Sequence, residues 1–163
     1  MNIKNTLLAT AAAIILAPAT SFAADFPITV SVEAVIPAED GLQVSAVGGW
    51  DTITQPLSWD IAAQNLNPLN QKLDMRSNAA IKAYLVGDAL LTSAGNTVPL
   101  TVAVNGKALS AGAPAAVQIL TEAEANATKR VDVDIQPNKP SNGYQEGKYT
   151  GVIYMVFEST AAP

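Results

Sequence analysis

The sequence predicts an all-β sandwich or barrel. Three observations carry that reading: short apolar runs of alternating pattern, turn chemistry between them, and no long stretch of helical period. Val131, Val133 and Ile135 alternate with Asp132 and Asp134, the period-two pattern of a strand with one wet face. Val98 to Val104 runs straight into Asn105-Gly106 and then Lys107 to Leu109, a two-residue hairpin signal because both turn positions accept positive φ. Leu42 to Val47, Leu73 to Arg76, Ala80 to Val86 and Val117 to Leu120 are further strand candidates, punctuated by ten prolines and ten glycines. Glu122 to Ala127 and Asp60 to Leu66 read as helical turns, each too short to form a helix layer. Nothing points to an internal repeat or a second domain.

Composition closes off most chemistry. The 163 residues include no cysteine and no histidine, so there is no disulfide, no thiolate nucleophile and no zinc-cysteine cluster, and the commonest general base is missing. Only 14% of residues are charged, and net charge is -5, which disfavours nucleic acid as a partner on electrostatic grounds. No catalytic residue, cofactor or metal site is assigned.

Residues 1–23 read as a signal peptide. Lys4 lies in a weakly positive start, Leu7 to Ala17 is apolar, and Ser21-Phe22-Ala23 offers small residues where a signal peptidase reads, placing the cut between Ala23 and Ala24. This eleven-residue run, apolar except for Thr10 and stopped by Pro18, falls short of the roughly 20 that cross a bilayer. Residues 24–163 then carry 8 basic and 14 acidic side chains, a net charge of -6. Export to an oxidising compartment without cysteine leaves burial as the source of stability.

Two stretches stand out. Residues 24–37 contain the first: Phe26, Ile28, Val30, Val32, Ala34 and Ile36 are all apolar, and ten of the eleven residues from Phe26 to Ile36 fit strict alternation. Extended, they span about 35 Å. Burying the six side chains would stabilise by at most about 9 to 18 kcal/mol before entropy is subtracted. Pro27 cannot donate to a ladder and suits a strand start or an open edge. On pattern alone, the same residues also suit the first strand of their own sandwich.

The second stretch is Gly147 to Glu158. Tyr149, Ile153, Met155 and Phe157 share one strand face, and Val152, Tyr154 and Val156 share the other, so both faces want cover. Read as the penultimate strand of a seven-stranded immunoglobulin-like sandwich in residues 38–163, it has no later strand beside it. The expectation is an incomplete fold with an open groove, a hazard if left exposed. A strand added from another chain fills such a groove by backbone bonds and alternate side chains.

Ile28-Thr29-Val30-Ser31-Val32-Glu33-Ala34-Val35-Ile36, the lack of cysteine, and Gly147-Lys148-Tyr149-Thr150-Gly151-Val152-Ile153-Tyr154-Met155-Val156 resemble the major subunits of colonisation-factor-antigen type fimbriae, the alternate class of chaperone-usher pilins. The likeness spans most of the chain after residue 23, and its two ends are the specific parts. It implies a donor strand at Phe26 to Ile36 that completes the next subunit's immunoglobulin-like β-sandwich. It also implies a carboxy-terminal strand bearing Tyr149, Gly151, Ile153, Met155 and Phe157 beside the acceptor groove. A periplasmic chaperone would fill that groove first, an outer-membrane usher would exchange it for the donor, and a tip adhesin would complete a surface pilus used in cell adhesion.

Weaker candidates have ordinary alternatives. Asp132 and Asp134 could hold a cation, or face solvent. Trp50 and Trp59 could stack on a sugar in a self-contained, exported carbohydrate-binding module, or pack. Asn126-Ala127-Thr128 matches a glycosylation acceptor, and a serine could pair with Lys129, though no nucleophile motif surrounds it.

Overall fold

A computed structural model of the chain describes residues 41–160. The signal-peptide reading of residues 1–23, the cleavage pair Ala23 and Ala24, and the alternating residues Phe26, Ile28, Val30, Val32, Ala34 and Ile36 lie outside the described residues.

Polar-apolar alternation builds the larger sheet. Its strands are β1 (Gln43–Ala46), β4 (Leu69–Arg76), β10 (Lys129–Pro137), β7 (Asn96–Val104) and β6 (Leu90–Ser93), in that spatial order, with the short β8 (Lys107–Ala108) hooked onto β7. The smaller sheet has β11 (Met155–Thr160), β5 (Ala80–Leu85) and β9 (Val117–Leu120), in the order β11-β5-β9. A separate hairpin joins β2 (Trp59–Asp60) to β3 (Asn65–Leu66). Inward positions of both sheets form one cluster: Leu73, Met75, Val102, Val104 and Val133 from the larger sheet meet Ile81, Ala83, Leu85 and Leu120 from the smaller. Met75, Ile81, Val104, Val133 and Leu120 are fully buried, so burial without disulfides supplies the core.

Strand positions follow the sequence reading closely, and the departures have physical causes. The turn at Asn105-Gly106 takes φ of 50° and 71°, as the hairpin signal requires. A second turn of the same kind, Ala94-Gly95, has φ of 44° and 87° and creates β6, a strand the sequence reading did not name. β4 begins at Leu69 rather than Leu73 because β10 pairs with it down to Ile135↔Leu69. Glu122–Ala125 is a one-turn helix, α1, closed by a capping box between Thr121 and Glu124. The helical turn expected at Asp60 to Leu66 is instead the β2–β3 hairpin. Asp60 caps its turn, with Oδ1 accepting from the backbone N–H of Ala62 (2.8 Å) and Ala63 (2.9 Å).

Asp132 and Asp134 lie on β10 of the larger sheet, Asp132 exposed and Asp134 partly buried. Asp132 stands opposite Lys72 and bonds its ammonium, and no group of three or more potential metal-ligating side chains occurs among the described residues. Next to it, Arg130 forks onto Asp74 through Nε and Nη2, both at 2.8 Å. The hydrogen bond from Arg130 holds the Asp74 carboxyl below the usual carboxylate range. A depressed folded-state pKa contributes stability that is present above the unfolded value and is lost as pH falls through the folded one. An Arg130→Gln protein should therefore be less stable than the parent near neutral pH, and the gap should close as pH falls through the folded Asp74 value. Urea melts over an acid pH series check this; a gap independent of pH would show that the pair does not couple to folding.

Candidate functional site

One wall of the site comes from the connection that leaves β1. Gly48 and Gly49 take φ of 81° and 68°, turning the chain into a short 3-10 turn at Trp50–Thr52. The Trp50 indole donates from Nε1 to the Lys72 carbonyl (2.9 Å), pinning the turn to the β4 backbone. Gln55 donates to the Trp50 carbonyl (2.9 Å) and accepts from Gln71 (2.9 Å), so the extended run toward Leu57 is held by the same strand.

The opposite wall is the carboxy-terminal segment, which passes from one sheet to the other. Thr150 bridges Thr92 at the edge of the larger sheet, through Thr92 N–H to Thr150 O (2.8 Å) and Thr150 N–H to Thr92 O (3.1 Å). Gly151 then passes directly over β6, where a Cβ would collide with the Leu90 carbonyl oxygen. The Tyr154 carbonyl next accepts from Val86 N–H (3.0 Å), and from Met155 the chain is a strand of the smaller sheet, paired with β5. The continuous strand expected from Tyr149 is therefore broken, because its first half belongs to one sheet edge and its second half to the other. Val152 and Tyr154 on one face are each 66% exposed, whereas Ile153, Met155 and Phe157 on the other pack against the core.

Between these walls the sandwich is open. A cleft of about 390 Å³ has Leu69, Leu100 and Ile135 as its floor, contributed by β4, β7 and β10. Gly151, Ile153 and Met155 line one side, and Trp50, Ile53 and Leu57 the other. Ile53, on the rim, is 66% exposed. β11 pairs with β5 along one side, and no strand among the described residues pairs with its other side. The arrangement is a slot with an apolar floor and an available backbone edge, with no described cluster of acids or bases in it. It can hold an extended apolar segment.

Of the sequence-named residues, Gly151, Ile153 and Met155 line this cleft and Phe157 continues the same strand into the core. Tyr149 lies beyond it, in a hollow with Trp59, Leu66 and Tyr144. The two tryptophans do not share a site: Trp50 is in the cleft wall, and Trp59 meets Tyr144 edge-to-face at 5.2 Å. Lys129 lies 4.0 Å from Glu124, an ion pair at the surface. The Trp50 to Leu57 wall went unread in the sequence. Its only signal was Gly48-Gly49 followed by isolated apolar residues in a polar stretch.

Comparison with known proteins is consistent with this geometry. Residues 27–158 match the sequence profile of the family described as CS1 type fimbrial major subunit. Among solved structures, the fold is similar to the CooA pilin subunit from enterotoxigenic Escherichia coli. The TM-score is 0.58 at 16% identity, covering 73% of this chain and 87% of that one. No curated protein matches the sequence.

The close passage over β6 gives a steric test. Gly151→Ala should lower stability by about 1–3 kcal/mol, since a rigid backbone oxygen occupies the space of the new methyl. Gly87→Ala, where a Cβ meets nothing within 4 Å, should be neutral or slightly stabilising. Equal melting temperatures for the two variants would show that the segment does not press on β6.

Proposed function

The chain belongs to the CS1 type fimbrial major subunit family, and from that premise we propose that it polymerises by donor-strand exchange. It is a structural pilin subunit of a surface fimbria serving adhesion. In the proposed assembly, Phe26 to Ile36 of one subunit lies in the open cleft of the next and adds a strand to the outer side of β11. Phe26, Ile28, Val30, Val32, Ala34 and Ile36 are its inward knobs. The single observation that carries this reading is the cleft itself, apolar at its floor and bordered by a strand that no described strand pairs on that side.

The physical logic runs both ways. An exposed apolar slot beside an available strand edge invites non-specific pairing, so it needs an occupant at every stage. Before assembly that occupant is a periplasmic chaperone, and an outer-membrane usher exchanges it for the donor segment, with a tip adhesin at the end of the filament. The signal-peptide pattern of residues 1–23 supports export through the periplasm. An alternating segment with six apolar knobs supplies what the slot lacks, namely side chains on one face and backbone donors and acceptors along the edge. A self-contained carbohydrate-binding module is not favoured, because the family is one of fimbrial major subunits.

Val30→Asp and Val32→Asp place a charge where the donor must be buried, at a cost well above that of an exposed substitution. Each variant should still yield a folded subunit bound to chaperone but no filaments by negative-stain electron microscopy. Filaments of normal number and length from either variant would contradict the donor role.

A further inference from the structure

The cleft does not stop at Gly151. Thr54, Gln55, Leu57, Leu91 and Gly151 border both the cleft and a second hollow of about 390 Å³ alongside Lys148 and Thr150. Leu66, Gly147 and Tyr149 in turn border that hollow and a third of about 280 Å³, whose aromatic walls are Trp59, Tyr144 and Tyr149. Three hollows therefore succeed one another along the carboxy-terminal segment from Met155 back to Gly147, about 27 Å of extended chain.

We propose that the aromatic hollow of Trp59, Tyr144 and Tyr149 is the junction seat between successive subunits, occupied by Ile36 and Pro37 of a second copy of this chain. The inference rests on the donor-strand reading and adds to it a direction, a register and a site outside the sandwich cleft.

Direction follows from the sheets. Among the described residues every strand-to-strand ladder is antiparallel, including both ladders of the sheet to which a donor would add, and the one parallel pairing is the isolated bridge Leu85–Ala111. An antiparallel neighbour makes the straighter hydrogen bonds. A donor running antiparallel to β11 starts near the Thr160 end and finishes near Tyr149. Length agrees: Phe26 to Ile36 and Tyr149 to Ser159 are each eleven residues. In that register Val30 faces Met155, Val32 faces Ile153, Ala34 faces Gly151 and Ile36 faces Tyr149. Size agrees as well, because the smallest knob, Ala34, meets the place where the chain is pressed against Leu90.

The aromatic rings of the hollow suit an apolar occupant. The Tyr144 hydroxyl donates to Asn65 Oδ1 (2.7 Å) and the Tyr149 hydroxyl to the Gln145 carbonyl (3.1 Å), so both are engaged within the protein. What the rings offer is carbon. Trp59 is 42% exposed in the lone subunit, a large aromatic surface that a neighbour would cover. Gln145 and Glu146 also line the hollow and could meet sugar hydroxyls, so the experiment includes a sugar arm; an isoleucine side chain and a proline ring need only the aromatic carbon. Pro37 also ends the ladder, since it has no N–H to donate. Only Ala38, Glu39 and Asp40 then separate it from the described body of its own subunit. A seat at this point fixes the angle between one subunit and the next.

The chain has no cysteine, so paired cysteines report contacts without background. Filaments would be grown from three double variants, oxidised, and dissolved in hot detergent for non-reducing electrophoresis. The pairs are Val32→Cys with Ile153→Cys, Ile36→Cys with Tyr149→Cys, and Phe26→Cys with Tyr149→Cys. The expected result is a covalent ladder from the first two pairs and single subunits from the third. A ladder from the first pair alone, or from the first and third, overturns the junction seat and leaves donor-strand exchange standing. Filaments with no ladder from any pair overturn donor-strand exchange itself. A second readout does not depend on cysteine variants: the emission difference between parent and Trp59→Phe proteins isolates Trp59. It should shift to the blue and lose most of its acrylamide quenching on passing from chaperone-bound subunit to filament. Unchanged quenching, or Trp59 in filaments still responding to added methyl galactoside or tetramethylammonium, would show an open pocket and overturn the proposal.

Discussion

A strand in a sandwich needs hydrogen-bond partners at its sides and apolar cover on its buried face, and β11 is the strand on which those two needs meet. Its inner face, with Met155 and Phe157, already packs on the core, and its ladder to β5 is complete from Leu85 to Ala80. Along its other side the described structure supplies neither a strand nor a lid. Because Leu69, Leu100 and Ile135 sit only a layer below, the missing strand is also missing cover for the core. In the proposed donor-strand assembly, joining two subunits and completing the fold are the same event, and the apolar burial that would stabilise a free-standing domain is spent on the junction.

The cleft is kept open by construction. Trp50 is tied to the Lys72 carbonyl and Gln55 to Trp50 and Gln71, so the wall that follows β1 leans on β4 and not across the gap. On the far side Thr150 is bonded to β6 and Tyr154 to Val86, which forces the intervening residues to step between sheets at a glycine. Both walls are thus anchored outside the cleft. An incoming segment meets a preformed slot and needs to order mainly itself, which lowers the entropic cost of binding.

Much of this was legible in the sequence wherever one periodicity governed a residue. Val131, Val133 and Ile135 are buried as their alternation implies, and Asn105-Gly106 makes the turn its φ preferences imply. Ile153 and Met155, singled out on pattern and resemblance, both line the cleft; its role as an acceptor groove is the proposal. The reading failed where two influences competed. Tyr149 to Phe157 carries a strand pattern throughout, but tertiary pairing divides it between two sheet edges, leaving Val152 and Tyr154 at the surface. Asp60 to Leu66 has residues compatible with a helical turn, yet the Asp60 side chain satisfies the backbone of a tight hairpin instead. The Trp50 to Leu57 wall has no period to read, since its position depends on the Lys72 carbonyl and the Gln71 side chain of β4, distant in sequence.

The most direct measurement is a cryo-electron microscopy map of the native filament at a resolution that traces the backbone. The account predicts a strand between the Trp50–Leu57 wall and β11, continuous at its far end with the body of the neighbouring subunit and carrying the side chains of Phe26 to Ile36. A map in which that cleft is filled by the subunit's own leading residues, with neighbours touching only through their outer surfaces, would contradict it.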